Sequence, residues 1–294
     1  MEHGSDNFDK PDPCSIRVSS VASSILAPVA LFVSPHLDDV AFSCSGTLAG
    51  LKRRGWRVAV ATVFTASVPD PRGFALACQL DKGLGPEVDY MALRRLEDAE
   101  FGQELGVDSL RWLGLPEAPH RGYDSPSALF DGVRPDDRVD REIARRLAHL
   151  VEDLRPAWIF APQAIGNHAD HLQVVRAILD HPDWRARTAW YRDLPYAAKN
   201  PLAAPSPDLP DNIIEVSWPL TPDDLTAKVS ASARYASQIP FQFGEAAAIG
   251  RTLGGFAESE AVRLEKSGPV EAFLVDPESL SAWIAQNLMP DPAN

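Results

Sequence analysis

The stretch "VALFVSPHLDD", residues 29–39, decides how the rest of the chain is read. The apolar run "APVALF" that leads into it has no polar face and reads as a strand buried on both sides. A His and two Asp follow at once: His36, Asp38 and Asp39. Charged side chains are costly to bury unless they are paired or bind a metal. These three either spill into solvent at the strand end or converge on something cationic.

Further strand-like runs follow at 57–64, 110–114, 157–162, 188–193, 213–218 and 271–275. Between them lie helical patterns. Residues 40–55 and 91–106 carry apolar positions at 3–4 spacing and end on Gly55 and Gly106; residues 139–156 run to a terminating Pro156. Alternating apolar strands and helices predict an α/β fold with a mainly parallel sheet covered on both faces. In such sheets ligands sit beyond the carboxyl ends of the strands. Residues 1–17 read as a disordered tail and 18–294 as a single domain. The proline-containing stretches 66–86 and 115–137 are long enough to be lids or disordered segments bordering a site.

A chain of 294 residues with 45% hydrophobic content can build a large core. No apolar run approaches the ~20 residues of a membrane-spanning helix. The N-terminus lacks the basic-then-apolar order of a secretory signal, so a cytoplasmic setting is expected. Three cysteines fit neither a disulfide framework nor a zinc-finger spacing. A net charge of −13 argues against nucleic acid as a partner and suits a neutral or cationic small molecule. A nucleotide-binding reading lacks its G-x-G-x-x-G after the first strand.

A second polar cluster, "PQAIGNHADHLQVVRAI" (162–178), also follows an apolar run. Asn167 can cap a helix starting near His168, and His168 and His171, three apart, then share a face. In a first helical turn the dipole disfavours an imidazolium, and a metal ligand must be a neutral imidazole. Taken singly, the first cluster reads equally as a helix cap with surplus charge, and the second as a solvated first turn. Together they offer His36, Asp38, Asp39, His168, Asp170 and His171 at two strand ends. A catalytic zinc site needs three N/O ligands and an open position. Two His and one carboxylate would supply the ligands, leaving a carboxylate for the proton and a His for the substrate.

The segments 34–51, 94–107, 168–178 and 190–197, in that order, resemble the LmbE/PIG-L family of zinc-dependent N-acetylglucosaminyl deacetylases. The resemblance covers most of residues 28–200 and implies a Rossmann-like three-layer sandwich. It implies zinc, or another divalent first-row metal, held by His36, Asp39 and His171. It makes Asp38 the general base and His168 the stabiliser of the oxyanion. Arg94, with Arg95 as its neighbour, would contact substrate. Asp170 would orient His168, and Tyr196 would line a sugar site or simply pack. The chain departs from the common pattern at Leu37, Val40 and Ser45-Gly46. The implied activity is removal of an N-acetyl group from an amino sugar or sugar-containing metabolite. An amidase of thiol-sugar conjugates and an antibiotic-tailoring deacetylase stand as alternatives. From a different class comes a non-catalytic sugar- or metal-binding protein. The expected partner is a small N-acetylated sugar, with no nucleic acid and no membrane. Trp112, Trp190 and Tyr191 fall in strand patterns and are expected in the core.

Overall fold

The structure, a computed structural model, describes residues 27–287; the expected tail at 1–17 lies outside the described residues. Every strand-like run of the sequence becomes a strand: β1 (Val29–Ser34), β2 (Arg57–Phe64), β3 (Ser109–Leu115), β4 (Trp158–Pro162), β5 (Thr188–Tyr191), β6 (Ile214–Pro219) and β7 (Val270–Val275). They form one seven-stranded sheet in the order β3-β2-β1-β4-β5-β7-β6. The pairs from β3 through to β5 are parallel. β7 runs antiparallel to both β5 and β6, so the mainly parallel sheet carries an antiparallel extension at one side.

The helices are α1 (Asp39–Arg53), α2 (Gly73–Leu80), α3 (Tyr90–Glu104), α4 (Pro126–Phe130), α5 (Val139–Leu154), α6 (Ala169–Leu179), α7 (Pro182–Arg185), α8 (Tyr196–Lys199), α9 (Pro222–Ser232), α10 (Ile239–Phe243), α11 (Ala248–Arg263) and α12 (Leu280–Asn287). A 3-10 turn spans Ala118–Arg121. Gly55 and Gly106 both have positive φ just past α1 and α3, as their sequence positions suggest.

Period two places β1 side chains on opposite faces. Ala30 and Phe32 join a cluster with α1, α3, α9 and α11, whereas Leu31 and Val33 join one with α5 and α6. Phe32 stacks on Phe160 of β4, with ring centroids 4.3 Å apart. Trp190 and Tyr191 are buried as expected, but Trp112 is 43% exposed. Its strand, β3, is the sheet's edge, and its indole Nε1–H donates to Asp98 at 2.7 Å.

α1 is broken near its site end, where Cys44 leaves helical geometry. A buried carboxylate takes up donors freed there: Glu271 on β7 accepts from the Gly46 and Thr47 N–H groups and the Thr47 hydroxyl, at 3.1, 2.7 and 2.6 Å. Lys228 of α9 donates to Glu271 at 2.6 Å and to the Ser43 carbonyl at 3.0 Å. This buried polar joint ties α1, α9 and β7 together beneath the segment that carries His36, Asp38 and Asp39.

Candidate metal centre and active site

Four strand ends converge. β1 delivers His36, Asp38 and Asp39, β3 delivers Glu117 and Arg121, β4 delivers His168, Asp170 and His171, and β5 delivers Asp193 and Tyr196. The turn between β4 and α6 rises through left-handed residues, including Gly166 and Asn167. A Cβ on Gly166 would lie 3.2 Å from the Tyr196 ring, so glycine both permits the turn and admits that ring. Asn167 is therefore part of the turn, not the cap. His168 is the N-cap, and its Nδ1 accepts from the Asp170 N–H at 3.2 Å.

His36, Asp39 and His171 present ligand atoms within 4.8 Å of one another. Nδ1 of His36 lies 3.3 Å and Nε2 of His171 lies 3.4 Å from Oδ2 of Asp39. Nε2 of His171 is fully buried and makes no hydrogen bond. An unsatisfied buried nitrogen is costly, and a cation would satisfy it. Each imidazole is held at its other nitrogen by a carboxylate: His36 Nε2 by Asp170 at 2.9 Å and His171 Nδ1 by Asp193 at 2.6 Å. Carboxylates placed this way fix ring orientation and leave the opposite nitrogen for a metal. The donor set fits a divalent metal of the zinc type.

The charges agree. Burial would pull the His36 imidazole down, but Asp170 and Asp39 outweigh it and hold it well above the usual histidine range. Burial likewise opposes, and Asp39 and Asp193 override, at His171, which is also raised. Asp39 resists burial through His171 and His36 and drops to about 2. In the absence of metal, protons therefore occupy the place a cation would take.

Asp38 differs from its neighbour. It stands at the N-cap position of α1 but makes no cap hydrogen bond. Its Oδ1 instead accepts from Arg94 at 3.2 Å, and Arg94 in turn donates to Glu117 at 2.8 Å. Burial, only partly offset by Arg94, pushes the Asp38 carboxyl up to about 6. His168 moves the other way: burial first, then the charge on His36, depresses it to about 3, so the ring is neutral. Because its Nδ1 accepts a hydrogen bond, its proton is assigned to Nε2. Asp38, His168, Tyr196 and Arg94 line one cavity of about 350 Å³. The Asp170 carboxylate bonds His36 Nε2, while the Asp170 N–H donates to His168 Nδ1; ligand atoms of His36, His168 and Asp170 lie within 4.8 Å of one another.

Both stretches expected to border the site do so as ordered structure. Phe74 of α2 and Lys82 beyond it, and Pro119, Leu129 and Phe130 of the second stretch, line the cavity. Asp193, Glu117 and Arg121 are contributions that the sequence reading did not single out. All three follow a strand, the same signal that marked His36 and His168.

The chain belongs to the PIG-L family: residues 31–181, just over half its length, match the family described as GlcNAc-PI de-N-acetylase. It is similar to a 2'-N-acetylparomamine deacetylase of Streptomyces fradiae, 34% identical over 58% of each chain. The chain thus spans a little over half of that relative's length. A 1D-myo-inositol 2-acetamido-2-deoxy-alpha-D-glucopyranoside deacetylase of Mycobacterium is 27% identical over 76% of this chain and 79% of its own. Among solved structures, a deacetylase of the teicoplanin biosynthesis pathway superposes with a TM-score of 0.71 at 25% identity, covering 84% of this chain and 98% of that one.

Proposed function

We propose that the protein is a zinc-dependent N-deacetylase of an amino sugar or a sugar-containing metabolite, acting in the cytoplasm. The observation that carries this is the buried Nε2 of His171, which makes no hydrogen bond and is set with His36 and Asp39 beside a carboxylate, Asp38, that binds neither histidine. A Rossmann-like three-layer reading is supported by the strand order β3-β2-β1-β4-β5 with clusters on both faces. The cytoplasmic setting is supported by Cys44 and Cys78 being free thiols.

His36, Asp39 and His171 would hold the ion. When bound, zinc supplies a Lewis acid for the amide carbonyl and lowers the pKa of a bound water toward ~7. The chain's own groups manage the rest. Asp38 accepts a proton from the attacking water as its oxygen bonds to the carbonyl carbon. The Nε2–H of neutral His168 donates to the oxyanion that develops. Asp38 then passes its proton to the amine nitrogen as the C–N bond breaks, giving acetate and the free amino sugar. Arg94, fixed by Glu117, keeps the Asp38 carboxylate turned into the cavity. A protein that only binds sugar or metal has no use for that buried carboxylate, which favours the catalytic reading. The relatives act on differing conjugates, and the solved deacetylases of teicoplanin biosynthesis and of the antimicrobial reagent A40926 pseudoaglycone support an antibiotic-tailoring substrate as the second reading.

The test is elemental analysis followed by incubation with a panel of N-acetylated sugars and glycoconjugates, detecting free amine. About one zinc per chain and chelator-sensitive amine release are expected. No bound metal, together with no response to added zinc, would remove the reading.

A further inference from the structure

We infer that Arg121 is a positioning residue for the metal centre, acting through Asp170 on His36. The inference rests on the proposed metal site but not on the identity of the substrate. Arg121 ends the 3-10 turn after β3, 49 positions before Asp170 in sequence. Its Nη1 donates to Asp170 Oδ1 at 2.7 Å and to the Pro116 carbonyl at 2.8 Å. Its Nη2 and Nε reach Asp137 at 2.9 and 3.3 Å. The guanidinium lies 4.8 Å over the Phe64 ring. Every edge of the fork is thus engaged, and the side chain is only 10% exposed.

The consequence falls on Asp170, which has no solvent exposure. With Oδ1 claimed by Arg121, its Oδ2 accepts from the Ala118 N–H at 3.1 Å and faces His36 Nε2 at 2.9 Å. The carboxylate plane has no freedom left. A carboxylate fixed in that plane fixes the His36 ring and keeps the imidazole proton on Nε2. Nδ1, 3.3 Å from Asp39, is then the nitrogen turned toward the proposed metal. Arg121 and Ala118 belong to the same turn, so the second long connection acts as the brace of a metal ligand as well as a wall of the cavity. Glu117, which opens that turn, braces Arg94 and so Asp38. One short turn therefore sets both the proton-accepting carboxylate and the metal-holding imidazole.

The experiment measures zinc affinity by competition with a chromophoric chelator, for the full chain and three variants. Partners of metal-ligating histidines are typically worth 10–100-fold in metal affinity or activity. Arg121→Met should lose on the order of 10-fold or more. Arg121→Lys keeps the charge but cannot span Asp137 and Asp170 at once, so it should fall between. Arg134→Met, in the same connection and bonded to Asp136 and the Gly122 carbonyl, should bind zinc as the parent does. Zinc-saturated Arg121→Lys should lose kcat with KM unchanged. If Arg121→Met fails to fold, the Lys variant decides. Arg121 variants that fold and bind zinc as tightly as the parent overturn the inference, as does an equal loss in Arg134→Met. Failure of the parent itself to bind zinc would overturn the proposed function. A parent that binds zinc but deacetylates nothing would count against the activity alone.

Discussion

At the scale of single residues, the two carboxylates at the head of α1 are separated by what surrounds them. Asp39 is flanked by two imidazoles, and Asp38 by a guanidinium and the cavity. Asp39→Ala should lower zinc content, because two His remain to hold the ion. Asp38→Asn is nearly isosteric and touches no metal ligand, so zinc content should survive while turnover falls by ~10²–10⁴-fold, the usual contribution of a general base. Measuring metal and turnover for both variants in one buffer decides it; near-normal turnover in Asp38→Asn would place the base elsewhere. The His and Asp of both motifs were legible in the sequence because each stands directly after an apolar strand. Asp193 stands in the same relation to β5 and went unread, since a single Asp in "RDLPY" has no His beside it to suggest a ligand. The hydrogen bond to His171 that gives it meaning crosses 22 residues of chain.

The elements around the site differ in how well their sequences declared them. β1 to β5, α1, α3, α5 and α6 carry the apolar periodicities that define strands and helices. α9 is hard to read because polar residues share its inward face with Leu225, Val229 and Ala231: Asp224, Lys228 and Ser232 are all buried. Asp224 pairs with Arg53, Lys228 with Glu271, and Ser232 donates to the Ala41 carbonyl at 3.1 Å. Buried polar residues interleaved with apolar ones break the hydrophobic pattern that would otherwise report the helix. Lys228→Met would leave the Glu271 carboxylate buried without its cation, and breaking such a pair costs about 3–5 kcal/mol. A denaturant midpoint indistinguishable from the parent's would show that Glu271 is satisfied by the α1 donors alone. The two long connections could be placed at the site from sequence but not given shape, since their short helices fall below the length at which periodicity is readable. Phe130 of α4 meets the His168 ring edge-on at 5.3 Å, and Phe241 of α10 lies over Lys82 at 4.8 Å across the cavity mouth. Phe130→Ala and Phe241→Ala should therefore shift preference among N-acetyl glycosides differing in the group linked to the sugar, with zinc content unchanged. Identical kcat/KM ratios across such a panel would place selectivity elsewhere, with Tyr196 next to test.

For the whole molecule, metal and proton compete for one buried site, and that competition sets how stability depends on pH. No described helix is long and apolar enough to cross a membrane. Without metal, His36 and His171 are raised above the ordinary histidine value of about 6.5. A group raised on folding adds stability that is complete below its unfolded pKa and is lost as pH rises through the folded one. Asp38, raised to about 6 by burial, has the same sign. Asp39, lowered to about 2, acts only in acid, outside this window. The stripped protein should therefore lose stability as pH climbs from 6 toward 9. Zinc works in the opposite direction, because its ligands must release those protons and its affinity rises with pH. A ligand at 100 times its Kd adds about 2.7 kcal/mol. For a chain of 294 residues that is a rise in Tm of roughly 4–5 °C. The quantity to measure is the Tm of zinc-loaded minus stripped protein across this pH range. The gap should widen steadily with pH and shrink below about pH 6, where protons hold the ligands. A gap that is flat with pH would mean that zinc enters without displacing protons, and that His36 and His171 are not both its ligands.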